Sequence, residues 1–345
     1  MQLGHHITSD AGDFRPRAEQ IVAFEQAGLD VVWVSEAYGL DAVSRLGYLA
    51  ARTERLLLGS GILPIYSRTP ALLAQTAAGL DYVSNGRLIL GLGTSGPQVI
   101  EGWHGVRFDH AAPRLREVVD ICRRVWRREV IDYAGDHYKL PLPPDRGTGL
   151  GKPLKIIGQP VRSRIPIYLA TLGSRTVELT AQIAEGWMPI FFWPERAKDV
   201  WGAPLSRGLA RRDPELGPLE IAAGGLAAIG DGLDQLRDLE RPHLALYIGG
   251  MGARGANFYN DLACRYGFEA EARRIQDLYL AGRKDEAAAA VPEALLEGTT
   301  LIGPESYVKE RIAAHREAGV TILNVTPVGP GDPLRTVARL KELIA

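Results

Sequence analysis

Short apolar runs of β character alternate with helical patterns from almost the first residue. The beat is about 30 residues per pair, which limits the chain to a parallel sheet with helical crossovers. The β-rich runs are Gln2 to Ile7, Asp30 to Ser35, Leu56 to Leu63, Leu88 to Gly93, Ile165 to Ala170, Trp187 to Phe192, Glu220 to Ile229 and Ile322 to Val325. Helical patterns fall between them, among them Pro16 to Ala27, Asp41 to Thr53, Pro70 to Val83, Arg114 to Arg128, Arg175 to Ala184 and, last, Leu334 to Ile344. Eight such runs exceed what a doubly wound sheet usually carries and fit a closed (β/α)8 TIM barrel. Two stretches break the beat. Val130 to Arg164, with Pro141, Pro143, Pro144, Gly147, Gly149, Gly151 and Pro153, reads as an insertion after the fourth β/α unit. The alanine-rich Asn257 to Leu296 reads as a helical excursion before the last strand. The expected organisation is one barrel domain over residues 1–345 with an insertion at about 130–164.

The fourth β-run opens into a glycine-rich loop, Gly91-Leu92-Gly93-Thr94-Ser95-Gly96. Glycine is disfavoured inside strands, so Gly91, Gly93 and Gly96 read as places where backbone amides approach a ligand, with Thr94 and Ser95 adding hydroxyl donors. The combination suits a phosphate. The spacing is also that of the dinucleotide fingerprint, which needs a helix directly after Gly96 and an acid closing a strand about 20 residues on. Pro97 to His104 offers at most a short helical turn and Asp109 falls in a loop, so the barrel explains the chain better.

A formal net charge of -1 with 23% charged residues argues against a nucleic-acid partner, and no run is long and apolar enough for a membrane span. Met1 leads directly into a strand without a signal-like segment, so the expected location is cytoplasmic. Cys122 and Cys264 stand far apart, outside any C-x-x-C, and read as core thiols.

Barrels place their chemistry at the carboxyl ends of the strands. The first run ends in His5-His6, of which alternation lets only one face the interior, so the pair shares no metal and a role in the site competes with simple burial. The second ends at Glu36, either a pocket carboxylate or an ion-paired rim residue. The third contains Gly61 before the β-branched Ile62, a candidate kink that tight packing would also explain. The fifth gives Ala170-Thr171-Leu172-Gly173, with Ser174 placed to cap the next helix, a second amide site for an anion. The sixth gives Gly186-Trp187 and then Phe191 and Trp193, aromatics of a core or of a cofactor contact. Tyr38, Tyr66, Trp103 and His104 add aromatic material at the same rim.

These strand ends together resemble the bacterial luciferase-like superfamily, in particular its branch that uses the deazaflavin coenzyme F420. The segments that carry the likeness include Gly-Leu-Asp-Val-Val-Trp-Val-Ser-Glu (28–36), Gly-Ser-Gly-Ile-Leu (59–63), Tyr-Ser-Arg-Thr-Pro (66–70) and Gly-Arg-Leu-Ile-Leu-Gly-Leu-Gly (86–93). Further ones are Ser-Gly-Pro-Gln-Val-Ile-Glu-Gly-Trp (95–103), Ile-Ala-Glu-Gly-Trp-Met-Pro-Ile-Phe (183–191) and Leu-Tyr-Ile-Gly-Gly-Met-Gly-Ala-Arg-Gly (246–255). The resemblance implies a homodimer and a cofactor at the C-terminal rim, with a non-proline cis peptide at Gly61-Ile62 facing its middle ring. The ring would rest by Ser35, Glu36, Gly61 and Ile62. The phosphate-bearing tail would lie by Gly93, Thr94, Ser95 and Gly96 and by Ala170, Thr171, Leu172, Gly173 and Ser174, with Gly186 and Trp187 nearby. Substrate contacts are expected from Tyr38, Tyr66, Trp103, Phe191 and Trp193. The chain departs from relatives at Ala37, where several have histidine, and at Pro97 and Gln98, where a glutamate is common.

The activity implied is hydride exchange between the deazaflavin and a small, unsaturated organic substrate. His6 is the expected proton donor, because an imidazole of ordinary pKa donates near neutral pH, and Glu36 is expected to orient substrate or cofactor. The alternatives on the same fold are an FMN-dependent monooxygenase and a non-enzymatic homologue.

Overall fold

A computed structural model describes residues 1–8 and 12–345, and among these eight parallel strands close into a barrel. They are β1 (Gln2–Ile7), β2 (Val31–Val34), β3 (Leu57–Ser60), β4 (Leu88–Gly93), β5 (Ile167–Ala170), β6 (Gly186–Trp187), β7 (Glu220–Ile229) and β8 (Ile322–Pro327). Each pairs with the next, and β8 returns to β1 through Gln2 opposite Ile322 and Gly4 opposite Asn324. The expected (β/α)8 architecture is the observed one.

Helices α1 (Arg15–Gln26), α2 (Ala42–Arg52), α3 (Pro70–Val83), α4 (Pro97–Gly102), α5 (Ala111–Trp126), α6 (Ser174–Ile183) and α7 (Pro194–Leu209) follow the first six strands. Their starts are encoded locally. Asp41 accepts from the Ser44 amide, and Thr69 accepts from the Leu72 amide with Pro70 in the first turn, where its missing N–H costs nothing. β2 is Val-Val-Trp-Val, apolar on both faces because one face fills the barrel and the other meets helices. Inside, Val31, Trp33, Ile89, Tyr168, Met188, Ala222 and Ile322 pack together; outside, Leu3, Val32, Leu58, Leu90 and Leu169 pack against the helical layer.

Residues 130–164 stand apart from the strand-helix alternation. A two-strand hairpin, Tyr133–Ala134 against Lys139–Leu140, is held to α5 by Glu117, whose carboxylate accepts from the amides of Asp136, His137 and Tyr138. The buried Asp81 of α3 holds the far end through Arg162.

The expected strand Trp187 to Phe192 is cut to two residues. Pro189 cannot donate to a ladder, and Phe191 turns the chain with φ +52°. The excursion is richer than a single alanine-rich stretch: α8 (Arg241–Ala245) runs into a π turn at Leu246–Gly250, followed by α9 (Phe258–Arg265), α10 (Glu269–Leu280), α11 (Lys284–Ala289) and α12 (Glu293–Thr299). A short strand, Leu301–Gly303, then pairs beside β7 before α13 (Glu305–Glu317), and the chain closes on α14 (Pro333–Ile344). The excursion builds a second core around Trp187, Phe192, Trp201, Leu262 and Ile275.

Candidate active site

β1 resolves the histidine pair by alternation. His5 faces outward, its Nδ1 2.8 Å from the Val325 carbonyl and its ring edge-on to Phe24. His6 faces the interior, its ring stacked 6.1 Å above Trp33. Trp33 forms the floor with Tyr168, 5.5 Å away, and donates from Nε1 to Asn324 Oδ1 at 2.9 Å. Gly59 belongs to this floor, because a Cβ there would lie 2.1 Å from the indole. The tryptophan and its asparagine were not singled out in the sequence; an indole among valines in a strand reads only as core.

Above the floor the predicted residues converge. The Gly61–Ile62 peptide is cis, and the Cβ position of Gly61 is 3.2 Å from His6 Cε1. The Gly61 amide donates to the Val34 carbonyl at 2.8 Å, which ties this peptide to the end of β2 and so to Ser35. Across the mouth, the Cβ position of Gly93 is 2.8 Å from Ile62 Cδ1 and 3.4 Å from the Ala170 carbonyl. His6, Gly61, Ile62, Gly93 and Ala170 thus form one continuous wall.

Gly93 pairs with Ala170, so the loops after β4 and β5 leave the barrel side by side. One carries Thr94, Ser95 and Gly96 to the start of α4; the other carries Thr171, Leu172 and Gly173 to the start of α6. Gly96 and Gly173 are the N-cap residues, and neither has a side-chain cap. Ser174 therefore sits inside the first turn of α6 and does not cap it. First-turn amides of a helix lack regular intrahelical partners; α6 offers a set of them, whereas in α4 Pro97 has no N–H and the Val99 amide already donates to the Gly96 carbonyl, which leaves Gln98. Several polar groups at this edge are committed elsewhere. Thr94 Oγ1 donates to the Ser95 carbonyl, Thr171 Oγ1 pairs with Thr180 Oγ1 at 2.8 Å, and the Leu172 carbonyl accepts from Trp201. Gly91 is a packing glycine: its amide donates to Ser60 Oγ, and a Cβ would lie 1.8 Å from the Ser60 carbonyl oxygen.

Glu36 is the ion-paired alternative. Its carboxylate takes both terminal nitrogens of Arg68 at 2.7 and 2.9 Å and accepts from the Ala42 amide at 3.1 Å, while Arg68 also reaches Asp41. It fixes the β2 rim to α2 and is not a free acid. His6 also departs from expectation. Burial beneath the rim, with His5 adding to it, pushes its imidazole down to about 3, so at neutral pH the ring is neutral. It can hold a hydrogen bond but has no extra proton to give.

The aromatic expectations divide. Trp187 faces outward into the second core and donates to the Thr171 carbonyl, and Gly186 is the slot under the Tyr168 ring, where a Cβ would lie 2.4 Å from it. Both are taken up in packing. Tyr66 is buried and donates to the Asp109 carbonyl at 2.6 Å, and Trp193 stacks on Phe268 over Gly298. Both are packing residues. Tyr38 and Trp103 stay exposed at the rim, and Phe191 is buried against His243, Tyr247 and Tyr259. Among the described residues no cluster of His, Cys, Asp or Glu fits a metal, and no helix is long and apolar enough to cross a membrane.

The family model described as luciferase-like monooxygenase matches residues 1–321. The chain belongs to that family. Among luciferase-like relatives, a Mycobacterium tuberculosis protein with the provisional name coenzyme F420-dependent oxidoreductase is 42% identical over 94% of this chain and 93% of its own. A 5,10-methylenetetrahydromethanopterin reductase of Archaeoglobus fulgidus is 25% identical over 93% of this chain and 92% of its own. The luciferase-like fold is shared with the F420-dependent tetrahydromethanopterin reductase of Methanopyrus kandleri, at TM-score 0.77 and 22% identity over 99% of this chain and 98% of that one.

Proposed function

We propose that the chain is an F420-dependent oxidoreductase that exchanges a hydride between the deazaflavin and a small, uncharged organic substrate. The observation that carries this is the full-length 42% identity to the relative named for that cofactor. The site fits such a group. The wall of Gly61, Ile62, Gly93 and Ala170 offers a flat apolar edge for a ring, and the adjoining uncapped starts of α4 and α6 offer amides to a phosphodiester.

Once bound, the deazaflavin supplies a carbon centre that carries two electrons and a proton as hydride. The chain's residues do the rest. Gly61 and Ile62 would bear the ring, the amides from Thr94 to Gly96 and at Gly173 and Ser174 would hold the tail, and Arg68 keeps Glu36 and the β2 rim in place. Neutral His6 lies below as a hydrogen-bonding group. With Glu36, Arg68 and Asp41 paired among themselves, these rim charges leave none over for an anionic substrate, which favours an uncharged one.

A homodimer belongs to the same reading. What supports it is exposed apolar surface: Tyr82 and Val83 on α3, and Leu154, Ile157 and Val161 of the insertion, with Val161 approaching Gly86 just beyond that helix.

A fluorescence titration with F420, run beside an absorbance titration with FMN, tests the cofactor. Saturable F420 binding is expected; tight FMN binding without F420 binding would instead favour the monooxygenase reading that the family description names.

A further inference from the structure

The helix that follows β7 does not stay on the outside of the barrel. Glu240, His243 and Tyr247 form one face of α8 and its π turn: Glu240 Oε1 is 2.7 Å from His243 Nδ1, and the His243 ring is 4.7 Å from that of Tyr247. The opposite face, Leu244, Ala245 and Ile248, is buried in the second core.

Two separated points of the rim touch this segment, and a third lies within electrostatic range of it. Phe191, after β6, lies 5.3 Å from both His243 and Tyr247. Tyr38, after β2, acts electrostatically on the Tyr247 hydroxyl. The Met251 carbonyl lies 3.9 Å from the Cβ position of Gly96, after β4. β2 and β6 stand opposite each other in a ring of eight, so the segment roofs the mouth.

The roof is built to hold that position. A π turn shifts carbonyls off the regular helical ladder, and buried amides satisfy them: Asn257 Nδ2 donates to the carbonyls of Tyr247 and Ile248 at 2.9 and 3.0 Å, and Asn260 Nδ2 donates to Ile248 at 3.1 Å. Gly249 and Gly250 let Tyr279 press on the turn, since Cβ atoms there would lie 2.5 and 2.4 Å from its side chain.

Hydride transfer to a polarised double bond requires a proton at the neighbouring atom. Neutral His6 and the arginine-bound Glu36 do not supply it. Resting on the deazaflavin reading above, we propose that the roof is the substrate-side wall of the site and that His243, tethered by Glu240, moves this proton for an uncharged ketone, enone or the matching alcohol. A carboxylate only accepts, so Nδ1 carries a hydrogen toward Glu240 and Nε2 is the working atom. In reduction, the substrate carbon takes a hydride from the reduced deazaflavin, the C=O π pair moves to oxygen, and oxygen takes the Nε2 proton of the His243 imidazolium. That leaves a neutral ring, which recovers its proton from water along its exposed edge. Oxidation runs the same atoms backward, with Nε2 accepting the hydroxyl proton and the oxidised deazaflavin the hydride. Glu240 is a positioning residue. The titratable neighbours of His243 are Glu240 and Tyr247, with Tyr38 and Tyr259 beyond Tyr247.

The test uses full-length protein saturated with F420, binding being followed by fluorescence. Imidazole NMR of the 15N-histidine protein identifies His243 as the signal lost in His243→Gln. The expected result is an Nδ1–H tautomer that Glu240→Gln abolishes, and a His243 resonance that moves on F420 binding. With menadione as an uncharged hydride acceptor, His243→Gln should slow single-turnover oxidation of reduced F420 by about 100-fold or more and Glu240→Gln by less, with F420 affinity within about twofold. An unmoved His243 signal in F420-saturated protein, or a parent-like single-turnover rate in His243→Gln, overturns the roof assignment alone. Failure of F420 to bind at all overturns the cofactor reading, and the inference with it.

Discussion

The floor and the roof of the barrel mouth each present a histidine, and their surroundings differ in kind. His6 lies on a strand, stacked over Trp33 beside Gly61, and loss of water drives it to the neutral form. His243 lies on a helix laid over the mouth, with Glu240 on Nδ1 and its side chain 40% exposed. The strand position gives rigidity at the cost of hydration, whereas the inserted helix keeps both a carboxylate partner and water.

That contrast can be broken by measurement. If the floor is the rigid half, Trp33→Ala should cost about 4 kcal/mol in denaturant unfolding, since it empties the barrel centre and strands Asn324 Oδ1. A loss below about 1 kcal/mol would show a floor that is not packed as described. Gly91→Ala should cost about 3 kcal/mol, because its Cβ would meet the Ser60 carbonyl and force β3 and β4 apart. Glu36→Gln should cost about 2 kcal/mol by leaving the half-buried Arg68 short of a carboxylate; an unchanged melting curve would show the rim pair to be idle.

Acid sharpens the comparison. Burial pushes His315, behind the aromatic core, down to about 4, as it pushes His6 to about 3. Both rings are neutral when folded and protonate more readily when unfolded, so their stabilisation is complete above pH 6.5 and is lost as pH falls toward 4 and then 3. Unfolding free energy should drop by a few kcal/mol between pH 7 and 5, and His315→Gln should remove about half of that slope. The smallest effect is expected at the roof, where His243→Gln should change stability by no more than about 0.5 kcal/mol.

The barrel was legible because each strand-helix pair carries its own period and boundary marks. Pro70, Asp41 and Thr69 start helices by local chemistry, and the proline-rich insertion announces itself. The glycine loop was legible as a loop, but the use of each glycine was not. Gly91 serves Ser60, Gly93 serves Ile62, and Gly96 sits under Gln98 and Met251, three different uses of one residue type. The aromatic run from Trp187 to Trp193 misled because an aromatic at a strand end looks alike whether it faces the mouth or the helices. Pro189 and the left-handed Phe191 turned the chain and sent Trp187 and Trp193 into packing.

By itself the sequence determined the alternation, the number of strands, the position of the insertion and which strand ends gather at one rim. These follow from periodicities of a few residues and from prolines, glycines and caps that act on their immediate neighbours. Only the tertiary structure decided that Glu36 is spent on Arg68, that His6 is neutral, and that the Glu240–His243–Tyr247 face lies over the mouth. Each of these depends on groups far apart in the chain meeting in space, as Glu36 meets Arg68 32 residues on and Phe191 meets His243. Desolvation and charge pairing are properties of that meeting, and no local pattern encodes them.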